Sequence, residues 1–498
     1  MKHVGESAFS ARFGWKLATA IAIASLWPGL SHAQTWTPLK NQLTFSGGTP
    51  LLLTDGTVMV QDSGGSNWWK LTPDNTGSYI NGTWSQLASL PSGYAPLYFA
   101  SAVLPDGRVI VEGGEYNRSA QDWTNKGAIY DPTTNVWTTV TPPSGWTSVG
   151  DAQSVVLPNG SFMLANALTE QQAILDPSAL TWTAVGTGKA DGNDEEGWTL
   201  LPDGTVLCVD ANNTANLTNS ERYFPAQGKW TTAGSTITLL ADLTSSGGGS
   251  HELGPGVLRP DGTVFWVGAT GTTAVYTPSA TKSQPGTWAV GPSFPKSGNT
   301  FLDLADGPAT LLVNGDVLVF ASPGVFETGA KFFEFDGTGL NTLPNPSNAA
   351  ADSSYVGRLL LLPNGQVLFV DGTKTGQVFT SAGTYNPAWA PTITKFPATV
   401  VHGHSYPIHG TLFNGLSQAT AYGDDAQMAT NYPLVRITNL NTGHVFYART
   451  HGHTSMAVAS TAVVGTQFDV PSGIETGPSN LEVVANGIPS AAVAITVN

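Results

Sequence analysis

Ser101-Ala102-Val103-Leu104-Pro105-Asp106-Gly107-Arg108-Val109-Ile110-Val111 reads as two short apolar strands folded back on an Asp-Gly turn. Asx-Gly between two apolar runs is a strong hairpin signal, because these residues accept the positive φ that a two-residue reversal needs. The pattern recurs at Asp55-Gly56, Asn159-Gly160, Asp203-Gly204, Asp261-Gly262, Asn314-Gly315 and Asn364-Gly365, in steps of 51, 53, 44, 58, 53 and 50 residues. A period of that size marks a repeat architecture in which no unit covers its own apolar face.

Later in each unit come segments such as Tyr130-Asp131-Pro132, Leu175-Asp176-Pro177, Tyr276-Thr277-Pro278 and Tyr385-Asn386-Pro387, and then an aromatic. Trp84, Trp137, Trp182, Trp230 and Trp288 fill that place, with Leu343 in the sixth unit, each 23 to 31 residues after its turn. That leaves room for two further strands, so each unit is expected to be a four-stranded kelch blade. The seventh unit lacks its Trp strand, but Thr35-Trp36-Thr37-Pro38-Leu39 copies Thr181-Trp182-Thr183-Ala184-Val185. The N-terminal strand is therefore expected to close the ring beside Thr384 to Asn386, which removes a free sheet edge. After Pro391 the repeat stops, and runs such as Leu434-Val435-Arg436-Ile437 and Leu481-Glu482-Val483-Val484 have the texture of an immunoglobulin-like, early-set β-sandwich. The expected organisation is all-β: a secretory leader over 1–33, a seven-bladed kelch-type β-propeller over 34–390, and the sandwich over 391–498.

Composition supports an exported β protein. Lys2, Arg12 and Lys16 precede an apolar run from Leu17 to Leu30 that ends in Ser31-His32-Ala33, the layout of a signal cleaved before Gln34. No later stretch is apolar for long enough to span a membrane. The chain has 57 Gly, 15 Trp and a formal charge of −15, and loss of the leader makes it more negative. A basic face for nucleic acid or anionic lipid is thereby excluded. Cys208 is the only cysteine, so no intrachain disulfide forms, and its apolar neighbours place it in the core. A monomer in the extracellular space or periplasm is expected.

A kelch heptad followed by this sandwich resembles the galactose oxidase and glyoxal oxidase family, the copper-radical oxidases, over nearly the whole mature chain. The resemblance makes Tyr98, in Leu97-Tyr98-Phe99-Ala100, the radical-forming copper ligand and Tyr355 the second ligand tyrosine. It makes His453, in Arg449-Thr450-His451-Gly452-His453-Thr454, the ligand from the sandwich, with His451 as the alternative, and it places the family's stacking tryptophan near Tyr116. The family pattern is broken in two places. Val356 stands where a ligand histidine should follow Tyr355, and Ser46-Gly47-Gly48-Thr49 stands where the crosslinking cysteine should be. The copper set is incomplete, so the resemblance implies the scaffold without the radical chemistry.

Binding sites of propellers gather ahead of the inner strands. Eight residues before each Asx-Gly turn lie Gly47, Tyr98, Asp151, Glu195, Leu253, Asp306 and Val356, with Glu196, His251 and Glu252 close by. Such a carboxylate-lined mouth suits a cation or a sugar hydroxyl, or it caps turns in water. Six of the nine histidines lie between His402 and His453, two pairs at i, i+2, a spacing that suits a metal on one face of a strand. The run Asp191-Gly192-Asn193-Asp194-Glu195-Glu196 has alternating oxygen donors that could bind calcium, but it lacks the full spacing of an EF-hand loop and reads as a solvated loop. Tyr422 to Tyr432 reads as a polar turn between sandwich strands that would shape the mouth only if it packs toward the propeller. Trp68, Trp69, Trp123 and Trp146 lie off the repeat and are candidates for sugar stacking. Two functions follow: a protein that binds extracellular glycan or a small carbohydrate without redox chemistry, or a metal-dependent enzyme with Tyr98, Tyr355 and His251 as catalytic groups. The enzyme would be a copper oxidase of alcohols, aldehydes or sugars, or a polysaccharide lyase with a tyrosine base and histidine acid.

Overall fold

The computed structural model describes residues 34–241 and 250–498, so the expected leader lies outside the described residues. Every Asx-Gly hairpin forms, but with a three-residue loop in place of the expected two. In Thr54-Asp55-Gly56 the Gly56 N–H donates to Leu53 O at 3.0 Å and the Leu53 N–H to Thr57 O at 2.8 Å, and the same pair of bonds recurs at Leu104, Leu157, Leu201, Arg259, Leu312 and Leu362. This is a type I turn followed by a residue in the left-handed region. Only the glycine takes positive φ, 76° at Gly56 and 84° at Gly107, and the Asx carboxyl or amide oxygen accepts the N–H two residues on, as from Thr57 to Asp55 and from Arg108 to Asp106, both at 3.0 Å. That side-chain bond selects Asp and Asn ahead of the glycine.

Each hairpin extends into an antiparallel meander. In the second, Ala100–Val103, Val109–Glu112, Gly127–Asp131 and Val136–Val140 pair in order. Seven such units follow along the described chain, and the first strands of successive units lie side by side: Gly47–Leu52, Ala100–Val103, Ser154–Val156, Trp198–Leu200, Gly256–Leu258, Pro308–Leu311, Arg358–Leu361, and back to Gly47–Leu52. All seven of these strands are buried along their length.

The repeated Trp residues sit on the fourth strands and tie each unit to the one before. The Trp137 indole donates to Ala88 O at 3.0 Å, Trp182 to Thr141 O at 2.8 Å and Trp84 to Asn41 O at 3.0 Å. Trp230 reaches Gln172 Oε1 at 3.2 Å and Trp288 reaches Ser220 Oγ at 2.9 Å. Trp36 follows the rule by donating to Pro344 O at 2.8 Å. Its strand, Thr35–Pro38, is the fourth of the last unit, but it pairs with Gly376–Thr380, Trp36 opposite Phe379, and not with the expected Thr384 to Asn386. Other units set Leu71, Tyr130, Leu175, Tyr223 and Tyr276 opposite their Trp. Phe379 is thus the counterpart of those residues, and Tyr385-Asn386-Pro387 lies beyond the strand and opens a short 3₁₀ turn, Pro387–Trp389.

The C-terminal residues form two sheets around Val435, Ile437, Phe468, Leu481 and Val483. The strand Val445–His451 joins them, pairing first with Leu434–Asn439 and then with Val464–Asp469. This part rests on the hairpin-turn end of the ring: Thr450 donates to Thr54 O, His453 to Pro105 O and Met456 to Pro158 O, each at 3.0 Å. One segment departs from it. Thr420–Tyr422 adds a fifth strand to the sixth unit, with Thr310 opposite Thr420, and approaches Gly256–Leu258 and Arg358–Leu361 as well. Tyr422 to Tyr432 is therefore no mere turn between sandwich strands but part of a segment that enters the middle of the ring. Among the described residues no helix is long and apolar enough to cross a membrane.

Candidate functional site

The inner strands run from a mouth at their N-terminal ends toward the Asx-Gly turns, and four of the seven residues eight places ahead of the turns line that mouth. Tyr98, Asp151, Glu195 and Asp306 line a cavity of about 280 Å³, joined by Tyr355 and Glu252 from neighbouring positions. Glu115, Tyr116 and Phe326 complete the wall, and Asp424 arrives from the inserted segment. Tyr98, Glu195, Asp306 and Phe326 all have left-handed backbones, with φ of 52°, 61°, 53° and 59°. Non-glycine residues take that region at a cost of order 1 kcal/mol each, and such strain gathers at binding sites.

Asp424 is placed through its neighbours. Gly423 N–H donates to Gly307 O at 3.3 Å, and the Tyr422 hydroxyl donates to Tyr355 O at 2.8 Å. Below them, Gln418 Oε1 accepts from Leu200 N–H at 2.8 Å, and the Tyr432 hydroxyl bonds Leu52 O at the turn end. The segment thus enters and leaves through the ring with its Gly-Asp-Asp tip at the mouth.

The electrostatics are one-sided. Burial, and then mutual repulsion, holds the carboxyls of Asp151, Glu195, Asp306 and Asp424 well above the ordinary range. Glu252 is pushed up to about 7 and Asp425 to about 6, burial being the main cause in both. The cation among them is Arg358, buried with its guanidinium 3.6 Å from the Tyr422 ring centre and 5.7 Å from that of Tyr98, donating to Tyr355 O at 2.7 Å. Burial also raises the Tyr98 phenol, against the opposing pull of Arg358, so Tyr98 stays a neutral donor at neutral pH. Asp151 Oδ1, Glu252 Oε2, Asp306 Oδ1, Asp424 Oδ2 and Asp425 Oδ2 are buried with no hydrogen-bond partner among the described residues.

The run Asp191 to Glu196 is not a solvated loop: Asp191 is 7 % exposed and Glu196 fully buried. The two belong to a cage around Lys189, whose Nζ lies 2.5 Å from Asp191, 2.9 Å from Glu196 and 3.0 Å from Glu221. Cys208 is buried as expected and donates to Glu196 Oε2 at 2.9 Å.

The metal ligands expected from the sequence separate, two remaining at the mouth and two leaving it. Tyr98 and Tyr355 share the cavity, and His251 lies at its edge, 3.7 Å from Asp194 Oδ2 and 4.0 Å from Glu195 Oε1. His451 instead bonds Asp469 Oδ1 at 3.0 Å, and His453 bonds Thr466 Oγ1 at 2.9 Å and stacks on Tyr432. Both histidines therefore lie with the sandwich at the turn end, where His453 N–H meets Pro105 O, while the segment carrying Asp424 reaches the mouth. Burial drives the His453 imidazole down to about 3. The expected sugar platforms are likewise elsewhere: Trp68 is fully buried against Trp137, Trp69 stacks on Phe45, Trp146 is buried, and Trp123 does not line the cavity. Tyr116, where the family's stacking ring is expected, does line it, 6.2 Å edge to face from Tyr98.

A copper-radical centre does not fit these residues. The lining offers carboxylate and phenol oxygens, Val356 replaces an imidazole, and the inserted segment supplies Asp424 in place of a histidine. Copper(II) of the family type depends on nitrogen donors with supporting partners.

No family model matches the chain. A kelch-like protein of Aspergillus terreus, terF, is 29% identical over 126 residues, 25% of this chain and 26% of that protein, so the match spans about a quarter of the relative's length. Among solved structures, a fungal alcohol oxidase of the AA5 family in complex with copper superposes with a TM-score of 0.53 at 14% identity, covering 94% of this chain and 100% of that one. A catalytically inactive virginiamycin B lyase from Staphylococcus aureus with quinupristin covers 70% of this chain and 99% of that one, at 12% identity and a TM-score of 0.48. The chain has a kelch-like β-propeller fold of the kind seen in galactose-oxidase-like proteins, and likeness at this identity speaks of fold alone.

Proposed function

We propose that the protein is a secreted, seven-bladed kelch-type propeller with an immunoglobulin-like C-terminal sandwich, and that its mouth binds carbohydrate without redox chemistry. The closed circuit of inner strands and the Trp36 strand in the last unit support seven blades. The two sheets around Val435, Phe468 and Leu481 support the sandwich.

The observation that carries the functional reading is the lining of the mouth: the buried acceptor Asp151 and the half-buried Glu195 and Asp306 face the same 280 Å³ space as the rings of Tyr98, Tyr116, Phe326 and Tyr355. Carboxylates accept hydrogen bonds from sugar hydroxyls while aromatic rings cover the C–H faces, and the space is near the lower end of the ~300–1,000 Å³ usual for small-molecule sites. One sugar ring or the end of a chain suits it. A lyase would need cations to neutralise a sugar acid, and Arg358 is buried beneath Tyr98 and Tyr422.

A glycan array followed by calorimetry on the best hit tests this. Tyr116→Ala is expected to weaken binding about two- to twelvefold, the loss of ~0.5–1.5 kcal/mol that an aromatic contact carries. An empty array, or a hit indifferent to Tyr116→Ala and to Asp151→Asn, would contradict it.

A further inference from the structure

We propose that the mouth holds a hard divalent cation, calcium first, on the carboxylates of Asp151, Glu195 and Asp424. The inference deepens the carbohydrate reading of the same cavity and rests on it only for the identity of the ligand that completes the coordination. One oxygen from each of the three residues lies within 4.8 Å of the others, close enough for a single ion to touch all three. Glu195 also groups in this way with Glu252 and Asp306, so two further carboxylates stand beside the ion.

Proximity of acids is not itself a site; the unpartnered oxygens are the independent observation. Asp424 is 3 % exposed and Asp151 7 % exposed, yet Asp424 Oδ2 and Asp151 Oδ1 meet no donor among the described residues, and both residues face the cavity. Buried polar atoms are almost always satisfied, and an ionised carboxylate withdrawn from water without a partner costs several kcal/mol. The fourth repeat unit supplies an internal comparison. Asp191, Asp210 and Glu221 group just as tightly, but there Lys189 Nζ sits among them, 3.0 Å from Glu221 and 3.9 Å from Asp210. Among the described residues no ammonium lines the mouth, and Arg358 spends its Nη1 donors on the Tyr355 and Gly357 carbonyls.

The donor chemistry selects the ion. Asp and Glu oxygens with neutral phenols nearby suit calcium, which takes 6–8 oxygens in flexible geometry, and offer none of the sulfur or clustered nitrogen that copper and zinc prefer. Three carboxylates leave positions open toward the cavity, where adjacent hydroxyls of a sugar are suitable oxygen ligands. The three residues come from the third unit, the fourth unit and the inserted segment, so the ion would also clamp that segment to the ring.

The test is thermal unfolding of the chelator-treated full-length protein with calcium chloride alone, without carbohydrate. At a hundredfold excess over Kd the midpoint should rise by about 3 °C for a chain of this size. The rise should vanish in Asp424→Asn, and in Asp151→Asn should the first variant fail to fold, while the surface change Asp336→Asn should keep it. No rise in the wild type, or a rise retained in Asp424→Asn and Asp151→Asn, would overturn the cation site. Because no sugar is present, a calcium shift alongside an empty glycan array would overturn the carbohydrate reading alone.

Discussion

His453 shows how far a side chain's surroundings decide its role. In Arg449-Thr450-His451-Gly452-His453 the residue types suggest a ligand, yet the imidazole is buried against Tyr432 with Nδ1 on Thr466 Oγ1, and burial holds it down to about 3. Its consequence is acid sensitivity. The unfolded chain takes up this proton near 6.5 while the folded chain refuses it until about 3, so His453 favours the fold above 6.5 and its contribution is lost as pH falls toward 3. Between pH 7 and 5 the wild type should therefore lose about 2 kcal/mol more than His453→Gln, measured by denaturant unfolding at both values. Equal losses would place the imidazole in a more polar setting than described. Asp424 is the opposite case, a residue that reads as part of a turn and becomes part of the mouth; its only signal in the sequence is a Gly-Asp-Asp run directly after the β-prone Thr420-Ala421-Tyr422.

At the scale of elements, the repeat is held by two devices that sequence periodicity exposes unequally. The Asx-Gly pairs are legible because both residues are demanded chemically, the glycine by its positive φ and the Asx by its bond to the N–H two residues on. The loop length is not, since two-residue and three-residue reversals share the same pair and differ only in where the strand resumes. The Trp latch is legible as a position but not as a function: each indole reaches back to the preceding unit. Trp137→Phe keeps most of the packing against Tyr130 and leaves Ala88 O without its donor, so it should destabilise by about 1–2 kcal/mol. A change below a few tenths of a kcal/mol in chemical denaturation would mean that water replaces the indole without loss. Closure of the last unit is hidden because Phe379-Thr380-Ser381 lacks the Tyr-Asp-Pro ending of Tyr130-Asp131-Pro132, and Tyr385-Asn386-Pro387 imitates it just downstream.

Across the whole molecule, the decisive event is the passage of the Tyr422 to Tyr432 segment through the ring. Counting back from the turns locates Tyr98, Asp151, Glu195 and Asp306, because the strands of a repeat deliver equivalent positions to one end. No periodicity reports that Asp424, from outside the repeat, would join them, nor that the strand carrying His451 would be held at the turn end by Thr54 and Pro105. The fold resembles that of a copper-bound alcohol oxidase, and the mouth offers hard oxygen donors, so the likeness is one of scaffold. The measurement that tests this most directly is elemental mass spectrometry of the full-length protein equilibrated with calcium, manganese, zinc and copper together, with hydrogen peroxide release followed on alcohols and aldehydes. A non-redox, oxygen-lined mouth predicts retained calcium near one per chain and no peroxide. Stoichiometric copper with peroxide release would contradict it.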